Sequence, residues 1–273
     1  MNNPLPPHRH PVLSVLNRSV LIDVFKYLVV VAAFTWFMLN GTRHLGYNWQ
    51  WYRVPQYIIA STDSQTVPGP LVQGLMITIR ITAISLILAF IFGLASALMR
   101  LSRSFLARAT ARGYLEIIRN TPLLVQLFFI YFVLSPILNI SGFASAVLAL
   151  SLFEGAYASE IFRAGIVSIH REQWEAAFSI GLNTYQTYRL IILPQALRRI
   201  LPPLTSQAVS LIKDSALVST IAIYDITMRG QTIIAETFMV FEIWFTVAAI
   251  YLIMTLALSA AVFYMEKRFK IET

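Results

Sequence analysis

A chain of 273 residues with 57% hydrophobic and only 12% charged residues falls well below the charged quarter usual for a soluble domain. Its apolar residues gather in blocks of about 20 rather than in the periodic pattern of a soluble core, which points to a bilayer as solvent. The absence of cysteine excludes a disulfide framework and a thiolate metal site, and the net charge of +8 raises the question of what its cations do.

The first apolar block, 27–39, is short, and Lys26 at its edge must snorkel. Asn40-Gly41-Thr42-Arg43-His44 follows it where a cleaved signal would show small residues, so the block reads as a retained helix. The second span, 71–99, is interrupted only by Arg80. Residues 120–153 carry no charge, a run too long for one crossing and slightly short for two. Pro136, Asn139, Ser141 and Gly142 supply a turn there, which predicts spans near 114–138 and 142–165. A fifth span, near 203–224, holds Lys213 and Asp214 in its interior, and a sixth, 243–265, is uncharged. None of these segments shows the dyad alternation of a membrane barrel. The expected fold is an all-α polytopic membrane protein with six transmembrane helices.

The cations follow the spans. Arg9, Arg18 and Lys26 precede the first, and Arg100, Arg103, Arg108 and Arg112 follow the second. Arg171, Arg189, Arg198 and Arg199 fill the loop after the fourth, and Lys267, Arg268 and Lys270 follow the sixth. The opposite loops hold only Arg43, Arg53 and Arg229. Six crossings with both termini in the cytoplasm satisfy every loop. The basic charge is therefore topological, and no basic patch with stacking aromatics suggests a nucleic-acid partner.

The loop 170–202 is the most informative segment. It reads Glu175-Ala176-Ala177, then Gly181, then Ile191 and Leu193-Pro194. Residues 172–180 are expected to form a short helix with acidic residues in its first turn, where the helix dipole favours them. Two alanines leave a low surface that another protein can approach closely. Gly181 falls where a left-handed cap would end that helix. A second short helix, 184–192, starts at a good N-cap and is expected to stop before Pro194. The alternative is an amphipathic helix lying on lipid headgroups.

This spacing is similar to the EAA loop of ABC importer permeases at each defining position. Further stretches resemble the polar amino acid branch of that family. They are Gln73-Gly74-Leu75-Met76-Ile77-Thr78, Arg119-Asn120-Thr121-Pro122-Leu123-Leu124-Val125-Gln126, Ala156-Tyr157-Ala158-Ser159-Glu160-Ile161-Phe162-Arg163 and Lys213-Asp214-Ser215-Ala216-Leu217-Val218. The likeness runs from about Pro70 to the C-terminus. It implies a five-helix permease core over 70–273, and a tail, extra helix and periplasmic loop over 1–69. It also implies that Glu175, Ala176, Ala177, Gly181, Ile191, Leu193 and Pro194 couple the chain to a separate ATPase. The implied partners are ABC ATPase subunits carrying ATP and Mg, a second permease chain, a periplasmic amino acid-binding protein and the inner-membrane bilayer. No cofactor is expected on this chain.

Ionisable residues within spans are costly and therefore informative. A zwitterionic amino acid needs a cation for its carboxylate and an anion or acceptors for its ammonium. Arg80 and Glu154 are candidates for those roles, and Lys213, Asp214, Thr121 and Gln126 are weaker ones. The competing explanation is structural, with charges pairing inside the protein and Thr121 and Gln126 bonding between helices. Glu160 and Arg163 read as helix-end structure. The four histidines, His8, His10, His44 and His170, suggest neither a metal site nor a triad. No Gly-x4-Gly-Lys-Ser/Thr loop is present, so this chain is not expected to be an enzyme and another chain must hydrolyse ATP. The rival readings are a secondary transporter, although no internal repeat is evident, and a membrane scaffold, which would need no charges in mid-span.

Overall fold

The computed structural model describes residues 12–44, 46–62 and 65–269, so that His8, Arg9, His10 and Lys270 lie outside the described residues. The chain divides into two compact units, Met1–Trp49 and Gln50–Thr273. The first contains α1 (Val12–His44), a 33-residue helix that includes the expected block 27–39. Val30, Phe34 and Phe37 stand exposed along it, and Lys26 pairs with Asp23 at 3.5 Å.

The second unit opens with a single turn, Trp51–Arg53, and α2 (Pro55–Ile58). An antiparallel hairpin of β1 (Ile59–Thr62) and β2 (Gln65–Pro68) follows, with Ile59 opposite Pro68. Pro70 then opens α3 (Pro70–Leu101), where its missing N–H leaves no intrahelical bond unmade. After α4 (Phe105–Arg119) come α5 (Leu123–Phe128), a wide π turn over 129–134 and α6 (Ser135–Leu138). Asn139 adopts a left-handed conformation at φ 51°, and the Ser141 hydroxyl accepts from the Ala144 N–H to start α7 (Gly142–Val167). The turn thus falls where Asn139, Ser141 and Gly142 predict it, while Pro136 sits in the first turn of α6. The remaining elements are α8 (Arg171–Ser179), α9 (Thr184–Thr187), α10 (Leu193–Asp214), α11 (Ile226–Thr237) and α12 (Val240–Phe269).

Among the described residues, α3, α7 and α12 are long and apolar enough to cross a membrane. α4 with 123–138 forms a further candidate, bent by 105° at the break. The expected span 114–138 is therefore not one straight helix. Its start, 114–119, belongs to α4, whose Arg108, Arg112, Glu116 and Arg119 recur at helical spacing and keep one face polar. Pro122 forces Thr121 out of helical geometry, and Gln126 braces the corner. Its Nε2 donates to the Ile118 and Thr121 carbonyls at 2.7 and 3.0 Å and to the Thr121 hydroxyl at 2.8 Å.

The core is a close crossing of α3 and α7, which run in the same direction. Ser85 donates to the Val147 carbonyl near one end, and Arg100 meets Glu160 at 2.9 Å near the other. Between them lie Ala89, Gly93 and Ala97 of α3 against Ser151, Gly155 and Ala158 of α7, all buried. A Cβ on Gly93 would stand 2.7 Å from that of Ala158, so only glycine permits this approach. Small residues are what membrane helices use, because association in lipid rests on van der Waals contact rather than on expulsion of water. α10 returns antiparallel to α7, with Ile200 beside Gly165 and Gln207 beside Glu154.

The fifth expected span, 203–224, is not among the helices long and apolar enough to cross a membrane in the described residues, and the helix there starts earlier. α10 begins at Leu193, ends at Asp214 and tightens into a 3-10 segment over 215–221, which Ala222 ends at φ 58°. α11 then caps one end of the unit. The Ile226 N–H donates to the buried Thr78 hydroxyl at 3.2 Å, and Asp225 Oδ1 accepts from the Met228 N–H at 2.8 Å. Burial holds the Asp225 carboxyl above the usual carboxylate range, against the hydrogen bonds from Met228, Thr227 and Tyr251 that pull it down. At the same end the Gln50 N–H donates to Glu242 Oε1 at 2.6 Å.

Candidate functional site

The sequence-predicted loop folds as a bent helix pair. α8 has Glu172 in its first turn, as the helix dipole favours, and Glu175 Oε1 accepts from Arg171 Nε at 2.8 Å across one exposed helical turn. Its end is a Schellman cap. The Gly181 N–H donates to the Phe178 carbonyl at 3.0 Å and the Leu182 N–H to the Ala177 carbonyl at 3.1 Å, with Gly181 at φ +83°. Asn183 then starts α9 with a capping box, its side chain accepting from the Gln186 N–H at 2.9 Å while Gln186 accepts from the Asn183 N–H at 3.0 Å.

The second helix does not stop before Pro194. α9 passes through a π turn over 188–192 directly into α10, with Pro194 at the first turn of the latter. The wide turn provides the room that a proline ring otherwise denies to the carbonyl four residues earlier. α10 and the loop are thereby joined in one helical run.

The loop's two faces differ. Ala177 and Thr187 are buried, Trp174 packs edge-on against Tyr188 with ring centroids 4.9 Å apart, and Gln195 Nε2 reaches Gln173 Oε1 at 3.2 Å. On the outside lie Glu175, Ala176 and Gly181 with Phe178, Ile180 and Tyr185, the last two 74% and 69% exposed. Ile191 is half-buried, and Leu193 and Pro194 are exposed where the run enters α10.

A polar cluster lies in the middle of the helices. Glu154, 1% exposed on α7, accepts a hydrogen bond from Gln207 Nε2 of α10 and feels the Asp214 carboxyl nearby. Lys213 is exposed beside half-buried Asp214. Gln207 escaped the sequence reading because an uncharged polar residue in an apolar span has no motif around it. Only its position in a charged, proline-bearing span would have flagged it. Arg80 is exposed on α3 between Ile79 and Ile84, and among the described residues no ion pair joins it to Glu154. Thr121 and Gln126 meet at the corner between α4 and α5, where their hydrogen bonds hold the bend. Glu160 is a charge hub, with Arg100, Arg119 and Arg163 within 2.9–3.1 Å of its carboxylate.

Small-residue helix crossings and several helices long and apolar enough to cross a membrane together mark a multi-pass membrane protein. Residues 89–271 match the family described as binding-protein-dependent transport system inner membrane component. The chain belongs to that family. It is 40% identical over 204 residues to the glutamine transport system permease protein GlnP of Escherichia coli (strain K12), covering 74% of this chain and 93% of that one. It is also 40% identical over 221 residues to the L-cystine transport system permease protein TcyB of Bacillus subtilis (strain 168), covering 77% and 94%. A crystal structure of an amino acid ABC transporter with histidines superposes with a TM-score of 0.69 at 37% identity, over 73% of this chain and 94% of that one. The MetNI methionine ABC transporter shares the fold at a TM-score of 0.62 and 21% identity. The likeness to amino acid permeases read from the sequence is thus borne out.

Proposed function

We propose that the chain is the permease subunit of an ATP-driven importer of polar amino acids, docked to a separate ATPase through α8. The observation that carries this is the loop itself. A rigidly capped helix presents Glu175, Ala176, Phe178 and Ile180 outward and continues through Pro194 into α10. Closure of an ATPase pair around that helix would be delivered to the span that holds Gln207, and through it to Glu154. ATP and Mg belong to the partner, and a periplasmic binding protein delivers the amino acid.

Six crossings place both termini in the cytoplasm. α1 is the added helix before a permease core over 70–273, 123–138 supplies the third crossing, and α10 with 215–221 supplies the fifth. Arg80, exposed on a lipid-depth helix, requires protein or water beside it, and a second permease chain across a shared pathway supplies both. Arg80 would then bind the substrate carboxylate and Glu154 its ammonium or a cationic side chain, with Lys213 and Asp214 farther along the same route.

Reconstituted with its ATPase and binding protein, the chain will take up glutamine, histidine or arginine into proteoliposomes only when ATP is supplied. Uptake driven by an ion gradient without the ATPase would establish a secondary transporter instead. Full ATPase assembly with no uptake of any amino acid would favour a scaffold.

A further inference from the structure

A cavity of about 340 Å³ opens where the ends of α3, α4 and α7 meet, on the membrane face that carries the α8 loop. Arg100, Arg112 and Arg119 line it against Glu116 and Glu160, and the Arg119 guanidinium lies over the Tyr157 ring at 5.6 Å from the centroid. Both carboxylates are already engaged. Glu160 serves Arg100, Arg119 and Arg163, and Glu116 accepts from Asn120 Nδ2 at 2.9 Å. The arginines are not saturated in return. Arg100 Nη1 is buried and close to Glu160, yet off-line for a hydrogen bond, and among the described residues Arg112 makes no ion pair. The result is a cluster of planar donor forks with an excess of positive charge, the arrangement that tetrahedral oxyanions fit best.

The helix that carries Arg112 and Arg119 also says where the anion comes from. α4 is amphipathic, and a 105° bend separates it from the helical stretch 123–138. On the side turned away from Arg112 and Arg119 it exposes Leu106 and Ile117 at 74% and 66%. A helix that offers large apolar side chains on one face and arginines on the other lies at the headgroup level, with its apolar face against acyl chains. Basic pockets between spans at that depth take lipid phosphates.

We propose that this cavity is a binding site for the phosphate of an anionic glycerophospholipid, held by Arg112 and Arg119 with Arg100 behind them and with its acyl chains along α4. The site is separate from the substrate path and does not depend on the transport reading. It would fix the angle of α4 relative to α3 and α7, and so couple the permease to the composition of the leaflet on its loop side.

Native mass spectrometry of the complex purified from membranes, titrated with phosphatidylglycerol, phosphatidylcholine or inorganic phosphate, tests the assignment. Arg112→Gln is the informative variant, because among the described residues Arg112 holds no ion pair whose loss would disturb folding. The wild type should retain phosphatidylglycerol in preference to phosphatidylcholine. Arg112→Gln should lower that retention about fivefold, matching the roughly 1 kcal/mol of a basic side chain at an anionic surface, while Arg198→Gln on α10 leaves it unchanged. Arg112→Lys should retain part of the binding, which confirms a charge effect in a folded protein. Equal retention by wild type and Arg112→Gln, or no preference over phosphatidylcholine, would overturn the proposal. Displacement by inorganic phosphate at comparable affinity would overturn the lipid assignment.

Discussion

Gly181→Val is expected to leave the protein in the membrane and to lower coupled transport strongly. Gly181 sits at φ +83°, and a Cβ there would meet nothing within 4 Å, so the penalty is conformational rather than steric. A β-branched residue forced into the left-handed region costs about 1–2 kcal/mol, and the loop has a cheaper alternative in unwinding its cap. Loss of the bonds from Gly181 to Phe178 and from Leu182 to Ala177 would release the angle between α8 and α9. The apolar residues Phe178 and Ile180 would then no longer be presented together with Glu175 and Ala176. Substrate-stimulated ATP hydrolysis and uptake should each fall about tenfold or more, in line with that penalty. Gly181→Asn provides the control, since asparagine tolerates the left-handed region and should retain most of the activity. Normal stimulated hydrolysis and uptake in the valine variant would remove the loop from coupling.

Glu154→Gln is expected to reduce uptake strongly while sparing assembly. The carboxyl is fully buried in a span and accepts from Gln207, so it has a dedicated hydrogen-bond partner at depth. A charge at lipid depth costs about 2.5–3.5 kcal/mol even on lenient insertion scales, so a residue carried there must be answered by protein, water or substrate. Glutamine preserves the side-chain volume and one acceptor but removes the anion. If that anion meets an ammonium group, uptake should fall about tenfold or more, matching the roughly 1.5–3 kcal/mol of a charge-assisted hydrogen bond. Glu154→Ala should cost yield as well, because it strands the Gln207 amide in the core. A purely structural role makes the opposite forecast for the glutamine variant, namely lower complex yield with unchanged uptake per molecule. Measuring yield and uptake side by side separates the two.

Much of this architecture was legible in the residues, because membrane spans and caps are local chemistry. The apolar blocks located α3, α7 and α12, and the Asn139–Ser141–Gly142 turn fell in place. Gly181 announced its left-handed cap through residue type and position alone. What failed was continuity. The stretch 114–138 has an uncharged end from Asn120 onward, which favoured a single helix, yet Pro122 and the polar stripe of α4 divide it. Pro194 read as a stop signal, but a π turn absorbed it within one helical run. Such compensation depends on tertiary packing and leaves no mark on the local sequence. The polar pairs were legible only in part. Glu154 stood out as a charge in a span, whereas Gln207 and the Thr78–Ile226 bond are long-range and carry no such signal. Thr121 and Gln126 were visible as polar residues, but their role at the bend emerges only from the corner they join.

The most direct test of the central claim is purification of the tagged chain from native membranes in mild detergent, followed by identification of what accompanies it. A permease subunit will bring down an ATPase carrying a phosphate-binding loop, in a fixed ratio, and a cross-linker placed at Tyr185 on the exposed face of the loop will join the two chains. Recovery of the chain without any ATPase, or cross-linking that bypasses Tyr185 while transport persists, would contradict the account.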